Sequence, residues 1–357
     1  MGLVHWLSLA MTRGLGPVLI ARLIERAGDA ETASAASGAL LREIEGIGRS
    51  KADAITTALR AASNDAGREL ERCGAMGITH LTPDDDDYPP LLRDIPDPPP
   101  VLWLRGSIEP RDVHGVAIVG SRKCSLYGRE QAERFAQLLA GAGVTVLSGG
   151  ARGIDSSAHR GALTIAEGRT LAVLGSALDV PYPPENKPLF EQIAQQGAVL
   201  SEHPLGTPPL AEHFPRRNRI VSGMSRGVLV IEADERSGAL ITARQAIEDH
   251  NRPVFAVPGR IDNALSAGPH QLIRDGAMLT ARLEDILDNL GPLPERAHHP
   301  LPTKRATLVS NFDTTPTNRA ADRAELSPGD DNERQLLACL DGTEMGVDEL
   351  VDRSGLP

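Results

Sequence analysis

The chain has 357 residues, a formal net charge of −11 and only 3% aromatic residues. This length predicts two or three domains, and the acidic charge excludes attraction of nucleic acid by the overall field, so any such binding requires a local basic patch. The three cysteines form no zinc or disulfide pattern, and no apolar run reaches the roughly 20 residues of a membrane helix. We therefore expect a cytoplasmic protein without a signal peptide, membrane span, metal or cofactor.

Residues 1–80 are predicted to form a helical domain. Residues 13–17 and 45–49 each place Gly-apolar-Gly before a helical segment. This is the helix-hairpin-helix pattern, in which backbone N–H groups meet a phosphate, but two tight interhelical turns explain the same glycines. Residues 81–100 follow as a Pro-rich strap, in which the density of proline predicts extended chain and excludes helix.

Short apolar runs alternate with amphipathic helical stretches from residue 101 to 290. The runs are residues 116–120, 144–148, 171–175, 228–232 and 254–258. Strands that are apolar throughout are buried on both faces, as in a parallel sheet. The fold class predicted is α/β, with an extended Rossmann-like parallel sheet. Residues 291–329 are polar and predict a linker, and residues 330–357 contain two short helical patterns.

Two glycine-containing segments directly follow predicted strands. The first is Gly120, Ser121 and Arg122, in which a guanidinium joins backbone donors that suit a phosphate; a generic turn with a surface arginine is the alternative. The second comprises Ser148, Gly149, Gly150, Ala151 and Arg152, followed by another glycine. Glycines let the backbone approach a ligand closely, and the start of the next helix favours an anion. For the second segment we therefore predict phosphate binding.

An arginine cluster at residues 213–219 is unusual in so acidic a chain. It contains Phe214, Arg216, Arg217, Asn218 and Arg219. An aromatic face for a base beside guanidinium groups for phosphates is typical of a site for single-stranded nucleic acid. The alternatives are a solvated helix face for the arginines and a core position for the phenylalanine. We favour binding because the phenylalanine lies between polar residues and proline.

A further group of candidate residues follows the fourth predicted strand. Ser237 and Gly238 begin a helix and offer more backbone donors. Glu232 is the one candidate general base, but no nucleophile is paired with it. Because ligands of open α/β sheets bind outside the carboxyl ends of the strands, these segments together predict one groove for an anionic ligand.

The same segments resemble the bacterial DNA-processing protein A family, known as DprA or Smf. The resemblance covers about residues 1–290 and rests on the strap and on residues 120–122, 148–155, 158–159, 182–183, 201–202, 214–220, 237–238 and 257–259. It implies binding of single-stranded DNA during natural transformation, protection of that strand, loading of the RecA recombinase, a homodimer formed through the Rossmann-like domain, and no enzymatic activity. It also implies that the strand is held by Arg122, Gly149, Gly150, Arg152, Phe214, Arg217, Asn218 and Arg219.

The N-terminal region suits the SAM or helix-hairpin-helix domain that this family commonly carries. The C-terminal region departs from the family pattern, because residues 330–357 hold only two helical patterns and predict a partial winged-helix-like tail. The main alternative function is a nucleotide-binding Rossmann enzyme of the phosphoribohydrolase (lysine decarboxylase-like) type. The Gly-Gly pair of that type of enzyme is absent from residues 232–242, and no glutamate follows at the position where its supporting glutamate would stand. A scaffold that binds a free nucleotide as a regulator is a third possibility.

Overall fold

A nine-stranded sheet lies at the centre of the computed structural model, which describes residues 2–293. Its strands are β1 Thr79–Leu81, β2 Leu102–Gly106, β3 Gly115–Val119, β4 Thr145–Ser148, β5 Thr170–Leu174, β6 Ala198–Ser201, β7 Gly227–Val230, β8 Val254–Ala256 and β9 Met278–Leu279. Their order across the sheet is β1-β2-β6-β5-β4-β3-β7-β8-β9. The pairs β1–β2 and β2–β6 are antiparallel. All the other neighbouring pairs in this order are parallel. The predicted Rossmann-like α/β sheet is confirmed, with two antiparallel strands at one edge.

Helices cover both faces of the parallel strands and form the N-terminal region. They are α1 Gly2–Ala10, α2 Pro17–Ala27, α3 Ala30–Ser34, α4 Gly38–Arg42, α5 Arg49–Ala75, α6 Pro90–Arg93, α7 Leu126–Gly141, α8 Ile154–Leu163, α9 Lys187–Gln196, α10 His213–Gly223, α11 Gly238–Glu248, α12 Ala267–Arg274 and α13 Glu284–Leu287. Within residues 2–293, no helix combines the length and apolar character needed to cross a bilayer. The predicted linker beyond residue 293 and the predicted tail at 330–357 lie outside the described residues.

The Pro-rich strap contains a helix that proline density was predicted to exclude. Pro90 takes the first position of α6, where a missing backbone N–H removes no helical hydrogen bond. Tyr88 is buried beside it, and its hydroxyl donates to the carbonyl oxygen of Pro99 at 2.8 Å. The prediction was therefore wrong at this point, because proline breaks a helix in its interior but suits its first turn.

The chain crosses from one side of β3 to the other after β6. Strands β4, β5 and β6 are added on one side of β3, and β7, β8 and β9 on the other. Ala117 in β3 aligns with Leu147 in β4 and with Val228 in β7, all in parallel register. The loops after β3 and β7 thus lie at a topological switch point, where an open α/β sheet forms its binding crevice.

The N-terminal helices share one hydrophobic core with the edge of the sheet. Leu7 and Ile55 belong to the same buried cluster as Trp103 of β2. Glu69 of α5 is also buried, and its Oε1 accepts hydrogen bonds from Trp103 Nε1 at 3.0 Å and from the Leu205 amide at 2.7 Å. A buried carboxylate is tolerated only with such partners, so Glu69 fixes α5 to β2 and to the loop after β6.

We expect Glu69→Ala to lower the free energy of unfolding by about 2–4 kcal/mol, because two buried N–H donors lose their acceptor. Glu71→Ala removes an exposed carboxylate from the same helix and should change the stability by at most about 0.5 kcal/mol. Urea unfolding followed by circular dichroism measures both. Equal midpoints for the two variants would show that Glu69 does not hold this junction.

Candidate functional site

A groove of about 720 Å³ opens at the switch point between β3 and β7. Its walls are the loops after β3 and β4, one face of α10 and the start of α11. The predicted site residues that line it are Gly120, Ser121, Arg122, Gly149, Ala151, Phe214, Arg217, Asn218, Ser237 and Gly238. Ligand sites typically have volumes of about 300–1,000 Å³, so the groove is large enough for a nucleotide unit. The structure thus brings most of the predicted residues to one place.

Glu232 holds the loop that carries Arg122. Its buried carboxylate accepts hydrogen bonds from the Ser125 amide at 2.8 Å and from the Ser125 hydroxyl at 2.6 Å. The Glu232 carbonyl oxygen accepts from the Ser121 amide at 2.7 Å. A Cβ added to Gly120 would lie 2.8 Å from that carbonyl oxygen. The candidate general base is therefore engaged in positioning the loop after β3.

The glycines of the loop after β4 are explained by contacts inside the protein. A Cβ at Gly149 would overlap the guanidinium of Arg217, and one at Gly153 would overlap the Ser121 carbonyl oxygen. Gly150 and Gly153 also have φ values of 66° and 75°, which side-chain-bearing residues rarely adopt. These glycines thus let the loop pack against α10 and the loop after β3, and their presence does not by itself require a ligand.

Two buried polar side chains, those of Asp155 and Asn186, hold the backbone of the loop after β4. Asp155 accepts a hydrogen bond from the Ala151 amide at 3.2 Å, and the Asn186 amide donates to the Gly150 carbonyl oxygen at 3.0 Å. Asp155 lies in the first turn of α8, and the amide from which it accepts precedes the helix. Burial raises the pKa of the Asp155 carboxyl, and burial lowers the pKa of Arg217 to about 10. Arg217 therefore remains positively charged at neutral pH on the wall of the groove.

One face of α10 carries the groove residues of the arginine cluster. Phe214, Arg217, Asn218 and Val221 all line the groove, and their spacing of i, i+3, i+4 and i+7 places them on the same side of a helix. Arg217 Nη1 donates to the Val173 carbonyl oxygen at 2.5 Å, which fixes its guanidinium. The helical period therefore selects which members of the cluster can meet a ligand.

Arg219 and Arg216, both predicted to bind the strand, do not line the groove. Arg219 is buried, with Nε 2.8 Å from Asp97 Oδ2 and Nη2 2.8 Å from Glu202 Oε2. Arg216 is exposed and outside the groove lining. The sequence prediction treated the cluster as a unit, whereas the helix turns Arg219 towards the strap. Ser148 is also turned away, since its buried hydroxyl donates to the Ile118 carbonyl oxygen at 2.6 Å.

Two neighbouring aromatic rings, each with a guanidinium group beside it, lie at one end of the groove. The guanidinium carbon of Arg122 lies 4.9 Å from the centroid of the Phe214 ring, and the Phe214 and Tyr182 centroids are 5.7 Å apart. The guanidinium carbon of Arg152 lies 5.5 Å from the Tyr182 centroid. Tyr182 was not among the predicted site residues. It lies 32 positions before Phe214 in the chain, and no local sequence pattern joins the two.

The groove concentrates positive charge that the acidic composition does not show. Within residues 2–293, Arg122 and Lys123 are exposed and form no ion pair. Arg217 adds a buried charge, and the carboxylates on the lining are those of Asp155 and Asp234. Unpaired cations beside an aromatic face suit a ligand that carries both phosphates and flat rings.

Comparison with known proteins places these residues in a wider group. The family model of DNA recombination-mediator protein A matches residues 79–291. Protein Smf from Synechocystis sp. is 38% identical over 361 aligned residues, which cover 97% of this chain and 90% of the relative. The X-ray structure of DNA processing protein A from Streptococcus pneumoniae has a TM-score of 0.69 at 35% identity, covering 80% of this chain and 96% of that one. A structure that concerns the single-stranded DNA binding mode of DNA processing protein A from Helicobacter pylori has a TM-score of 0.53 at 28% identity, covering 60% and 95%.

The arginines of α10 provide a matched pair for a stability test. Arg219→Ala leaves two carboxylates without their cation and should lower the free energy of unfolding by about 2–4 kcal/mol, less than for a fully buried pair because Asp97 is partly exposed. Arg216→Ala should stay within about 0.5 kcal/mol of the parent. Urea titration measures both. A destabilisation of the same size in the two variants would contradict the assignment of Arg219 to the interior.

Proposed function

This chain belongs to the family of DNA recombination-mediator protein A, as its resemblance predicted, and on that premise we propose that it binds single-stranded DNA in the groove. The observation that carries the proposal is Phe214, half-buried on the groove wall with the Arg122 guanidinium beside its ring. Aromatic side chains stack on unpaired bases, while neighbouring cations meet the phosphates of the strand. DNA processing protein A from Helicobacter pylori is described as binding single-stranded DNA, which supports the same assignment.

A single strand fits the groove better than a duplex or a free nucleotide. Bases in a duplex are paired and stacked on one another, so that an aromatic side chain reaches them only when the bases are splayed out. The groove also continues past Phe214 to a second aromatic ring, that of Tyr182. A ligand with several successive bases uses both rings, whereas a mononucleotide leaves one of them uncovered.

We place this binding in the handling of DNA taken up during natural transformation. The strand is protected in the groove and passed to the RecA recombinase, and the protein acts as a homodimer in the cytoplasm. The support is membership of the family and the resemblance to DNA processing proteins A. We expect the groove to act by binding and not by covalent chemistry. The support is that the carboxylates of Glu232 and Asp155 are engaged with the Ser125 and Ala151 amides, and that of Asp234 accepts from the Arg236 amide.

We expect the full chain to bind labelled single-stranded oligonucleotides more tightly than duplex or mononucleotides, with affinity that falls steeply as salt rises. Arg122→Ala should weaken binding several-fold and reduce the salt slope by about 0.7, the contribution of one phosphate contact on a single strand. Arg68→Ala removes another exposed arginine, one on α5 that does not line the groove, and should leave both quantities unchanged. Fluorescence anisotropy at several salt concentrations measures them.

Two results would contradict this proposal. One is equal affinity for single strands and mononucleotides, which would favour a nucleotide regulator site. The other is release of free base from nucleotides, detected by chromatography, which would favour the phosphoribohydrolase-type enzyme.

The contribution of stacking is tested separately with Phe214→Ala. Loss of the ring should weaken binding of a normal strand by about 1–3 kcal/mol, the usual value of one aromatic-base stack. An abasic strand of the same length has phosphates but no bases, and the same substitution should affect its binding little. A similar loss for normal and abasic strands would show that Phe214 does not contact a base.

A further inference from the structure

The groove continues beyond Phe214 into a smaller recess, which we call the Tyr182 patch and define by Arg152, Tyr182, Pro183 and Glu185. The first three of these line a cavity whose other walls belong to the groove, and Glu185 is the partner of Arg152. Phe214 is among the residues that line both spaces. A strand that leaves the groove past the Phe214 ring therefore meets the Tyr182 patch next.

The patch repeats the pairing of a guanidinium with an aromatic ring. Arg152 lies over Tyr182, and its Nη1 donates to the Tyr182 hydroxyl at 3.2 Å. Just as Arg122 accompanies Phe214, Arg152 supplies a cation beside an aromatic face. The two ring centroids, 5.7 Å apart, offer successive bases two neighbouring surfaces on which to stack.

The two halves differ in one respect, which is the carboxylate of Glu185. Arg152 Nε donates to Glu185 Oε1, whereas Arg122 forms no ion pair within residues 2–293. Both partners of the Arg152 pair are about half exposed, at 46% and 51% of their side-chain surface. The hydrogen bond from Arg152 lowers the pKa of Glu185, so the pair is ionised at neutral pH. The cation of the Tyr182 patch is thus already occupied in the free protein.

We propose that the Tyr182 patch is a second nucleotide subsite, in which a phosphate of the strand replaces Glu185 as the partner of Arg152 and a base lies against Tyr182. This inference rests on the proposed function of the groove. The exchange is easy because a half-exposed ion pair is weak in water, and a phosphate accepts two parallel N–H groups from one guanidinium. Buried Asn186 holds the adjoining backbone against the Gly150 carbonyl oxygen, so the subsite keeps its place when Glu185 moves away.

The subsite is thus self-inhibited by one carboxylate. Glu185 competes with any anion for Arg152, and a weakly held anion does not displace it. A strand already anchored at Arg122 presents its next phosphate to Arg152 at high effective concentration. This phosphate displaces Glu185. The patch therefore favours a continuing strand over a free mononucleotide.

Removal of the competing carboxylate tests the exchange. Glu185→Gln should raise the affinity for an oligothymidylate about two- to fivefold, the range set by the weakness of an exposed pair. The control is Glu191→Gln, which removes an exposed carboxylate six positions further along the chain. Glu191 pairs with no cation within residues 2–293, so this substitution should change the affinity little. In an Arg152→Ala background the gain from Glu185→Gln should shrink, because the two side chains act on one another.

A length series tests the stacking surface. Oligothymidylates of increasing length should bind the parent with rising affinity, and Tyr182→Ala should lose at least about fivefold on strands long enough to reach the patch but little on the shortest ones. Tyr182→Phe keeps the ring and should follow the parent. Anisotropy titrations with the full chain give all of these values.

The outcomes separate the two proposals. If the parent binds no single-stranded oligonucleotide, the proposed function itself is wrong. If the parent binds and Arg122→Ala weakens it, but Tyr182→Ala equals the parent at every length, or Glu185→Gln gains no more than Glu191→Gln, the groove remains and the second subsite is overturned.

Discussion

The groove depends on the hydrogen bonds that the buried carboxylate of Glu232, in the loop after β7, accepts from Ser125. Ser125 in turn accepts one from the Gly128 amide at the start of α7. A Cβ at Gly128 would overlap the carboxylate and one at Gly120 would lie 2.8 Å from the Glu232 carbonyl oxygen, so both positions need glycine. The loop that carries Arg122 is thus held at both ends by one residue of the loop after β7. The anionic side chain of Glu232 thus supports the cationic groove from the protein interior, where its hydrogen-bond partners are the amide and hydroxyl of Ser125.

Charge compensation distinguishes the arginines of this chain. Arg169 and Arg219 are buried, and each binds two carboxylates, so they stabilise the scaffold and present no charge to a ligand. Arg152 is compensated at the surface by one exposed carboxylate. Arg122 and Arg217 form no ion pair within the described part of the chain, and both line the groove. A chain with net charge −11 can therefore offer a local positive site, because within the described residues the groove lining carries few carboxylates, those of Asp155 and Asp234.

The sequence predicted features that follow from local period and position. The five apolar runs became strands β3, β4, β5, β7 and β8, and the carboxyl ends of these strands met as the fold class requires. Features set by long-range contacts were missed. Strand β1 follows no apolar run, and the contact of Phe214 with Tyr182 joins two distant segments. The short apolar runs at β2 and β6, residues 101–104 and 198–200, were not recognised as strands. The period of α10 could have separated Arg217 from Arg219, but the reason for Gly149 could not be found, because only the folded chain brings the Arg217 guanidinium against it.

The contact between Glu232 and Ser125 also determines when the groove can form during synthesis of the chain. Ser125 and Glu232 are 107 residues apart, so Arg122, the glycine loop and Phe214 are all synthesised before the strand that holds them together. Until β7 is added, β3 is an open parallel edge, and such an edge invites pairing with another chain. Closure of the β3–β7 ladder is a non-local step of the kind that slows folding. The nascent protein thus carries most of its binding residues well before it has a binding site.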